Sequence, residues 1–437
     1  MRIHHKICKL WIVLLLLQYL ACTSSSYIND PEKQKKRVNI LIHKILADPE
    51  DIDALQELGI ILIKTQRYDR GRRLLAKSYQ LNPKDPKTSF YYALSLESCN
   101  REKQAFNVYR DYINISSGSP YRRLMKARYD YLSQKVMRQE AKTRLAQEEL
   151  LQTRALAPKT IAVLPFHYLG THTDYAPLGR GLSEMVITDL SQISGIQLVE
   201  RLRLQAMMDE MKLTQTGLVD AKTAPRCGRL LSAGQVIYGA YDVLGENRFK
   251  VDVEFHDLIN HPSPLKASSS GALKNLFHLE KRIVFSVITK MGIELTQQER
   301  ERILRLPTRN FQAFVSYCKG LEKQDAGQFE AAAASFQEAF NLDPGFSRAE
   351  NKVQESQSTA EVSGTTESVL ASVEKIEALP ESTPSTENLV NNRLQNLSDN
   401  IGANIIPGQD SRETSEEASG AGADVGLADL PDPPGPP

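Results

Sequence analysis

Residues 199–220 read VERLRLQAMMDEMKLTQTGLVD, and the order within this stretch decides how the surrounding chain folds. It leaves a short apolar strand, Ile196 to Val199, and enters a helix whose apolar positions Leu204, Met207, Met208 and Met211 fall at i, i+3, i+4 and i+7. That spacing lays one apolar stripe along one face, as a helix resting on a sheet requires. Gly217 then supplies a stop and a turn.

Upstream, Ile161-Ala162-Val163-Leu164-Pro165-Phe166 reads as a buried strand stopped by proline. A Gly-, His- and Thr-rich loop follows, then a helix from Gly179 to Ser194 with Leu182, Met185, Val186, Leu190 and Ile193 inward. Downstream, a helix over Ala221–Ser232 leads to strands near Gln235–Val243 and Arg248–His256, joined by a turn at Gly245-Glu246-Asn247. In the second strand Val251, Val253 and Phe255 alternate with Lys250, Asp252, Glu254 and His256, which gives one apolar and one polar face. Leu265–Ser270 is expected as an edge strand and Lys274–Met291 as a closing helix. Residues 158–305 therefore read as an α/β domain with a mixed sheet.

The flanks have a different period. From 48 to 118 the pattern is paired amphipathic helices: Leu55, Leu58, Gly59 and Leu62, then Tyr68, Gly71, Leu75 and Ser78, closed by Asn82-Pro83. A second unit with Tyr92, Ala93, Leu96, Ala105, Tyr109 and Tyr112 follows about 34 residues on, which resembles tetratricopeptide repeats. Residues 308–348 return to it with Gly320, Gly327, Phe329, Ala332, Phe336, Ala339 and Pro344. Such repeats usually bind proteins or peptides, and a helical spacer that binds nothing is the alternative. Between them, residues 119–157 suggest a long basic helix or linker, solvated or resting near anionic headgroups. No aromatic platform accompanies its basic residues, so nucleic acid is not an expected partner. Residues 349–437 are Ser-, Thr-, Glu-, Pro- and Gly-rich and read as a disordered acidic tail. The fold class expected is thus α plus α/β: helical repeats on both sides of the sheet domain, then a tail.

Charge is unevenly distributed. Residues 350–437 hold 16 acidic and 4 basic residues, a net of −12, while the whole chain has +1, so residues 1–349 carry +13. A basic body and an acidic tail attract one another.

The first 21 residues are an address. Arg2, Lys6 and Lys9 precede an apolar core, Leu10 to Leu17, too short to span a bilayer, and Tyr19-Leu20-Ala21-Cys22 resembles a bacterial lipobox. The reading is a lipoprotein signal peptide with lipid attachment at Cys22; an ordinary secretory signal is the alternative. Two or three acyl chains would hold the protein firmly to a membrane. Thr23 after the cysteine resembles the outer-membrane sorting rule of many didermic bacteria. Residues 22–47 serve as a tether. Cys99, Cys227 and Cys318 remain, an odd and scattered set that makes neither a disulfide framework nor a metal site.

No catalytic constellation has good spacing: G-x-S-x-G, a Walker loop and H-E-x-x-H are all missing. Gly179-Arg180-Gly181 superficially suggests a phosphate cradle, but Glu184 would repel an anion, and helix capping is the better account. Glu200-Arg201 could be a catalytic pair, though a cap and ion pair at a strand-to-helix junction explains it as well. No catalytic residue, metal or cofactor is expected.

The α/β region resembles the CsgG family, named for the curli production assembly and transport lipoprotein. The resemblance rests on Ile161–Phe166, Gly181–Met185, Val199-Glu200-Arg201 with Leu204, Met208, Lys212, Gly217 and Leu218, and then Gly228–Leu231 and Val236–Gly239. It implies a fold signature and a subunit contact carried by Glu184, Glu200, Arg201, Leu204, Met208, Gly217 and Gly239. It also implies a bacterial envelope protein, lipid-anchored at the outer membrane and facing the periplasm, with a homo-oligomer open. Pore-forming members insert amphipathic hairpins, each needing strands of roughly 9 to 11 residues. Between Val236 and Phe277 the chain has room only for the domain's own strands. Two readings stand: a non-catalytic scaffold in envelope or surface-fibre assembly and secretion, and a secretion-channel subunit of the curli type.

Overall fold

The computed structural model describes residues 31–152, 154–213, 222–245, 247–260 and 263–377. The signal peptide, Cys22, Gly217 and the chain from 378 onward lie outside the described residues. The chain forms two compact units. One is built from residues 31–126 and 362–377, the other from residues 127–361, counting described residues only.

The first unit is helical. It contains α1 (Pro31–Ala47), α2 (Ile52–Lys64), α3 (Tyr68–Leu81), α4 (Pro86–Ser98), α5 (Glu102–Arg110) and the beginning of α6 (Pro120–Ala146). Asp51 caps α2 by accepting from Ala54 N at 2.9 Å, and Asp85 caps α4 by accepting from Thr88 N at 2.6 Å. The turns that close the first helix of each pair use left-handed Gln66 and Asn100. Caps and turns alike recur about 34 positions apart, the tetratricopeptide period. Gly59 lets α2 and α3 touch: a Cβ there would stand 2.7 Å from Leu75 Cγ.

The second unit is a mixed sheet with helices on both faces and a further helical repeat. Its strands are β1 (Ala157–Val163), β2 (His167–Tyr168), β3 (Gln197–Leu198), β4 (Ala233–Leu244), β5 (Arg248–Asp257) and β6 (Leu265–Ala272). Their order is β3-β1-β4-β5-β6, with β2 also beside β4. β1 pairs in parallel with β3 and β4, and β4, β5 and β6 run antiparallel. Pro165 has no N–H to give the ladder, so β1 ends there and β2 resumes the pairing with β4 at His167.

The helices of this unit are α7 (Glu148–Gln152), α8 (Leu178–Leu190), α9 (Arg201–Glu210), α10 (Thr223–Leu230), α11 (Leu276–Lys290), α12 (Gln297–Ile303), α13 (Phe311–Asp325), α14 (Phe329–Leu342) and α15 (Ser347–Glu361). Phe249, Val251, Val253 and Phe255 of β5 face a core shared with α8 and α11, while Lys250, Asp252, Glu254 and His256 face away. On the other face, Gly228 of α10 packs onto Val236. The same core continues through Phe314, Cys318 and Phe336 to Val353, so the repeat α13–α14 is fused to the sheet domain.

Three expectations are corrected. The helix that opens in the quoted stretch ends at Glu210, short of Gly217; Lys212 turns left-handed at φ +57°, and residues 214–221 are outside the described set. The basic helix is not solvated: Tyr129, Leu132, Met137 and Ala141 of α6 are buried, because its charged residues alternate with an apolar stripe that an average conceals. Lastly, residue 349 does not begin a disordered tail. α15 buries Ala349 and Val353, and α16 (Thr366–Glu377) belongs to the first unit and buries Val369 and Val373.

Gly181 marks the crossing of α8 and α13. A Cβ there would overlap Cys318 Sγ and approach Phe314 Cζ to 2.8 Å. Overpacking of this kind costs about 1–3 kcal/mol. Gly181→Val is therefore expected to lower the urea unfolding midpoint of the α/β unit, whereas Gly118→Ala, which meets nothing within 4 Å, leaves it in place.

Candidate functional site

The strand-to-helix junction inside the quoted stretch is a charge cluster. Val199 N donates to Ile161 O at 2.9 Å, which carries the β3–β1 ladder to its last residue. The chain then turns at Glu200, whose extended backbone opens α9 and whose carbonyl accepts from Leu204 N at 3.0 Å. The Glu200 side chain makes no capping bond. Nor is Arg201 its ion partner. The Arg201 guanidinium reaches Glu184 of α8 at 3.2 Å, Gln324 Oε1 at 3.3 Å and the carboxylate of Asp325, both at the end of α13. Asp325 also holds Arg180 at 3.1 Å, and Arg180 extends to Glu322 at 3.3 Å.

Asp325 is buried, and Arg201 is only 14% exposed at its side chain. Burial alone would lower the pKa of Arg201, but the charges of Asp325 and Glu184 outweigh it and push the pKa up, so the cation persists. The network thus holds α8, α9 and α13 together with charges screened from water.

Glu200 points elsewhere. Its Oε2 is sealed from solvent and has no hydrogen-bond partner. Burial first, and the Asp130 charge next, push its carboxyl up to about 7 against the opposing pull of Arg203 and Arg201. A carboxyl poised near neutrality fits a general base. Here Oε2 is turned away from solvent, and a cavity of about 360 Å³ lies instead beside α7 and α10, lined by Glu148, Pro225 and Arg226. Next to Glu200, Arg203 pairs with Glu140 of α6, which also takes Arg144 at 3.1 Å.

Of the remaining expected residues, Leu204, Met208 and Gly239 lie inside the α/β unit, and Gly217 is outside the described residues. Leu204 and Met208 are buried. Gly239 sits where a Cβ would stand 3.0 Å from Val253 Cα and overlap the Asp252 carbonyl across the β4–β5 ladder. The Gly179-Arg180-Gly181 motif does not cap a helix by a side chain; Gly179 N donates to the Tyr241 hydroxyl at 3.0 Å, and Arg180 joins the network. The structure brings Glu184 and Arg201 into contact and adds Asp325, Arg180 and Gln324. No sequence signal links Asp325 to a partner 124 positions away. Among the described residues, no group of three or more His, Cys, Asp or Glu side chains is placed to hold a metal ion.

Residues 143–247 match the family model described as "Curli production assembly/transport component CsgG". This stretch is similar to the CsgG family over about a quarter of the chain. The match begins within α6 and closes at the β4–β5 turn, so it includes Arg180, Glu184, Glu200, Arg201 and Gly239, while their partners Asp325 and Gln324 lie beyond it. Among solved structures, the LpoB C-terminal domain from Salmonella enterica aligns at 15% identity over 29% of this chain and 93% of its own, with a TM-score of 0.21. A tetratricopeptide repeat protein from Parabacteroides merdae aligns at 10% identity over 74% of this chain and 91% of its own, also at 0.21. No curated protein matches the chain.

Two outcomes are expected of the junction. Removing one partner from a buried pair leaves the other charge uncompensated, at a cost of about 3–5 kcal/mol. Arg201→Met should lower stability to urea by that order, and Asp325→Asn combined with it should recover part of the loss in a double-mutant cycle. The second outcome concerns pH. Because the folded Glu200 carboxyl sits at about 7, above its ordinary value near 4.5, the native state binds the extra proton in between. Stability is then highest at the acid end of that window and falls as pH rises through it. Glu200→Gln should flatten the decline in unfolding free energy measured between pH 5 and pH 7.5.

Proposed function

We propose that this chain is a bacterial cell-envelope lipoprotein, anchored through acyl chains at Cys22, that acts as a non-catalytic scaffold in envelope or surface-fibre assembly and secretion. The observation that carries this reading is the fusion of the α13–α14 repeat to the CsgG region through one continuous core and one buried ion network. That construction makes a rigid platform with its ionic chemistry turned inward, while the paired helices of the first unit offer surfaces to protein partners. The N-terminal pattern Tyr19-Leu20-Ala21-Cys22-Thr23 supports a location at the outer membrane, facing the periplasm. Among the described residues no helix is long and apolar enough to cross a membrane.

The match to a transport component favours a second reading, an oligomeric secretion channel. β4 and β5 have the length for a spanning hairpin, at 12 and 10 residues. Their faces argue against it: one face of β5 is committed to the domain's core, and the other bears Lys250, Asp252, Glu254 and His256. Charge on a lipid-facing strand is costly. The scaffold reading expects detergent-extracted protein to show neither large rings in negative stain nor stable conductance in planar bilayers; rings with steady single-channel steps would overturn it. Independently, Cys22→Ala is expected to abolish incorporation of radiolabelled palmitate, and retained label would remove the anchor.

A further inference from the structure

The first unit already holds a ligand of its own. α16 lies on the face formed by α2, α4 and the start of α6, the first helices of successive pairs. Its Glu377 is the centre of a built carboxylate site. Oε1 accepts from the Tyr91 hydroxyl at 3.0 Å and from the Tyr121 hydroxyl at 2.6 Å, and Oε2 accepts from Lys64 Nζ at 2.9 Å. Lys87 Nζ stands 3.6 Å away, and Lys64 also lies 3.8 Å from Glu374. Two phenols and two ammonium groups from three different helices thus converge on one carboxylate. At the other end of α16, Glu367 accepts from the Tyr68 hydroxyl at 2.9 Å, and Ser98 Oγ lies 3.1 Å from Thr366 Oγ1. Between these ends Val369 and Val373 are fully buried, with Leu370 nearly so.

The pattern is therefore two buried valines at i and i+4 with a carboxylate at i+8, one stripe of a helix. The occupant is weakly self-supporting. At 12 residues it falls at the lower edge of what holds a helix in isolation, so its order comes from docking. It is joined to α15 by residues 362–365, in which Gly364 takes φ +132°. Tethering gives such a segment a high effective concentration at its site, and a free ligand must compete against that.

We infer that this face of the N-terminal repeats is a receptor for an acidic amphipathic helix, that α16 is its resident occupant, and that a partner protein bearing the same pattern binds by displacing α16. This names the partner chemistry of the scaffold's repeats and rests on that reading only in assigning them a recruiting role. The alternative is a permanent cap that closes the helical stack and never leaves.

The test uses the full chain and a fluorescein-labelled synthetic peptide of residues 362–377. In the Val369→Asp/Val373→Asp variant, which dislodges α16, the peptide is expected to bind at least tenfold more tightly than to the unaltered chain. The peptide carrying Glu377→Gln should lose tenfold or more. Equal binding to both proteins, or indifference to Glu377→Gln, would overturn the receptor. Should the double variant fail to fold, a protease site placed between Ser363 and Gly364 detaches α16 without altering its face. After cleavage, exchange of the native helix for labelled peptide on size exclusion supports the receptor; retention without exchange identifies a permanent cap and refutes it. None of these outcomes bears on lipid attachment or conductance, so the scaffold reading stands or falls separately.

Discussion

The ion network around Arg201 and Asp325 is the constraint on which the α/β unit depends. Three helices from distant parts of the chain, α8, α9 and α13, each place a charge where water is scarce. An isolated guanidinium there would be very costly, and so would an isolated carboxylate. Neither α9 nor α13 can take its position without the other. The glycine at 181 serves the same end, since it removes the one side-chain atom that would hold α8 and α13 apart. Close backbone approach and charge pairing thus fix a single arrangement, where apolar packing alone would tolerate several.

This explains why the repeat after the sheet is not a separate module. Its aromatic residues Phe314, Phe336 and Phe346 share a core with Val163, Ile237 and Phe277. A helical pair that buries one face against a sheet has spent the surface with which such pairs usually stack on one another. The pairs α2–α3 and α4–α5 remain stacked in the ordinary way, on the 34-residue period. The two sets of repeats therefore have different physical roles despite a similar sequence pattern: one braces a domain, and the other presents a surface.

Much of this was legible in the sequence because periodicity reports local burial. The alternation in β5 and the apolar positions Leu204, Met207 and Met208 of α9 depend only on neighbours along the chain, and they are buried as the spacing requires, whereas Met211 lies past the end of α9 and is half-buried. The partners of Arg201 were not legible. Glu200 is the near candidate along the chain, yet Arg201 pairs with Glu184 and Asp325, which lie in other helices entirely. Glycines were half legible: the motif at 179–181 drew notice as a helix start, but its purpose is a helix crossing, visible only once Cys318 is placed above it. Composition misled at residue 349, because a long polar tail diluted two amphipathic helices that bury Val353, Val369 and Val373.

The charge asymmetry between a basic body and an acidic tail acquires a specific form in α16. Diffuse attraction is screened within about 8 Å at physiological salt and selects no geometry. The Glu377 site does select. Burial would raise that carboxyl, but the Tyr121 hydrogen bond and the Lys64 and Lys87 charges outweigh it and hold it below the usual carboxylate range, so it stays ionised. Hydrogen bonds from two tyrosines fix where the charge must sit, and the buried valines set the helix register that delivers it there. α16 is thus positioned by directional bonds and apolar contact, with long-range charge left to bring it near. A surface that reads a carboxylate this way distinguishes one acidic helix from another, which a merely basic surface cannot do.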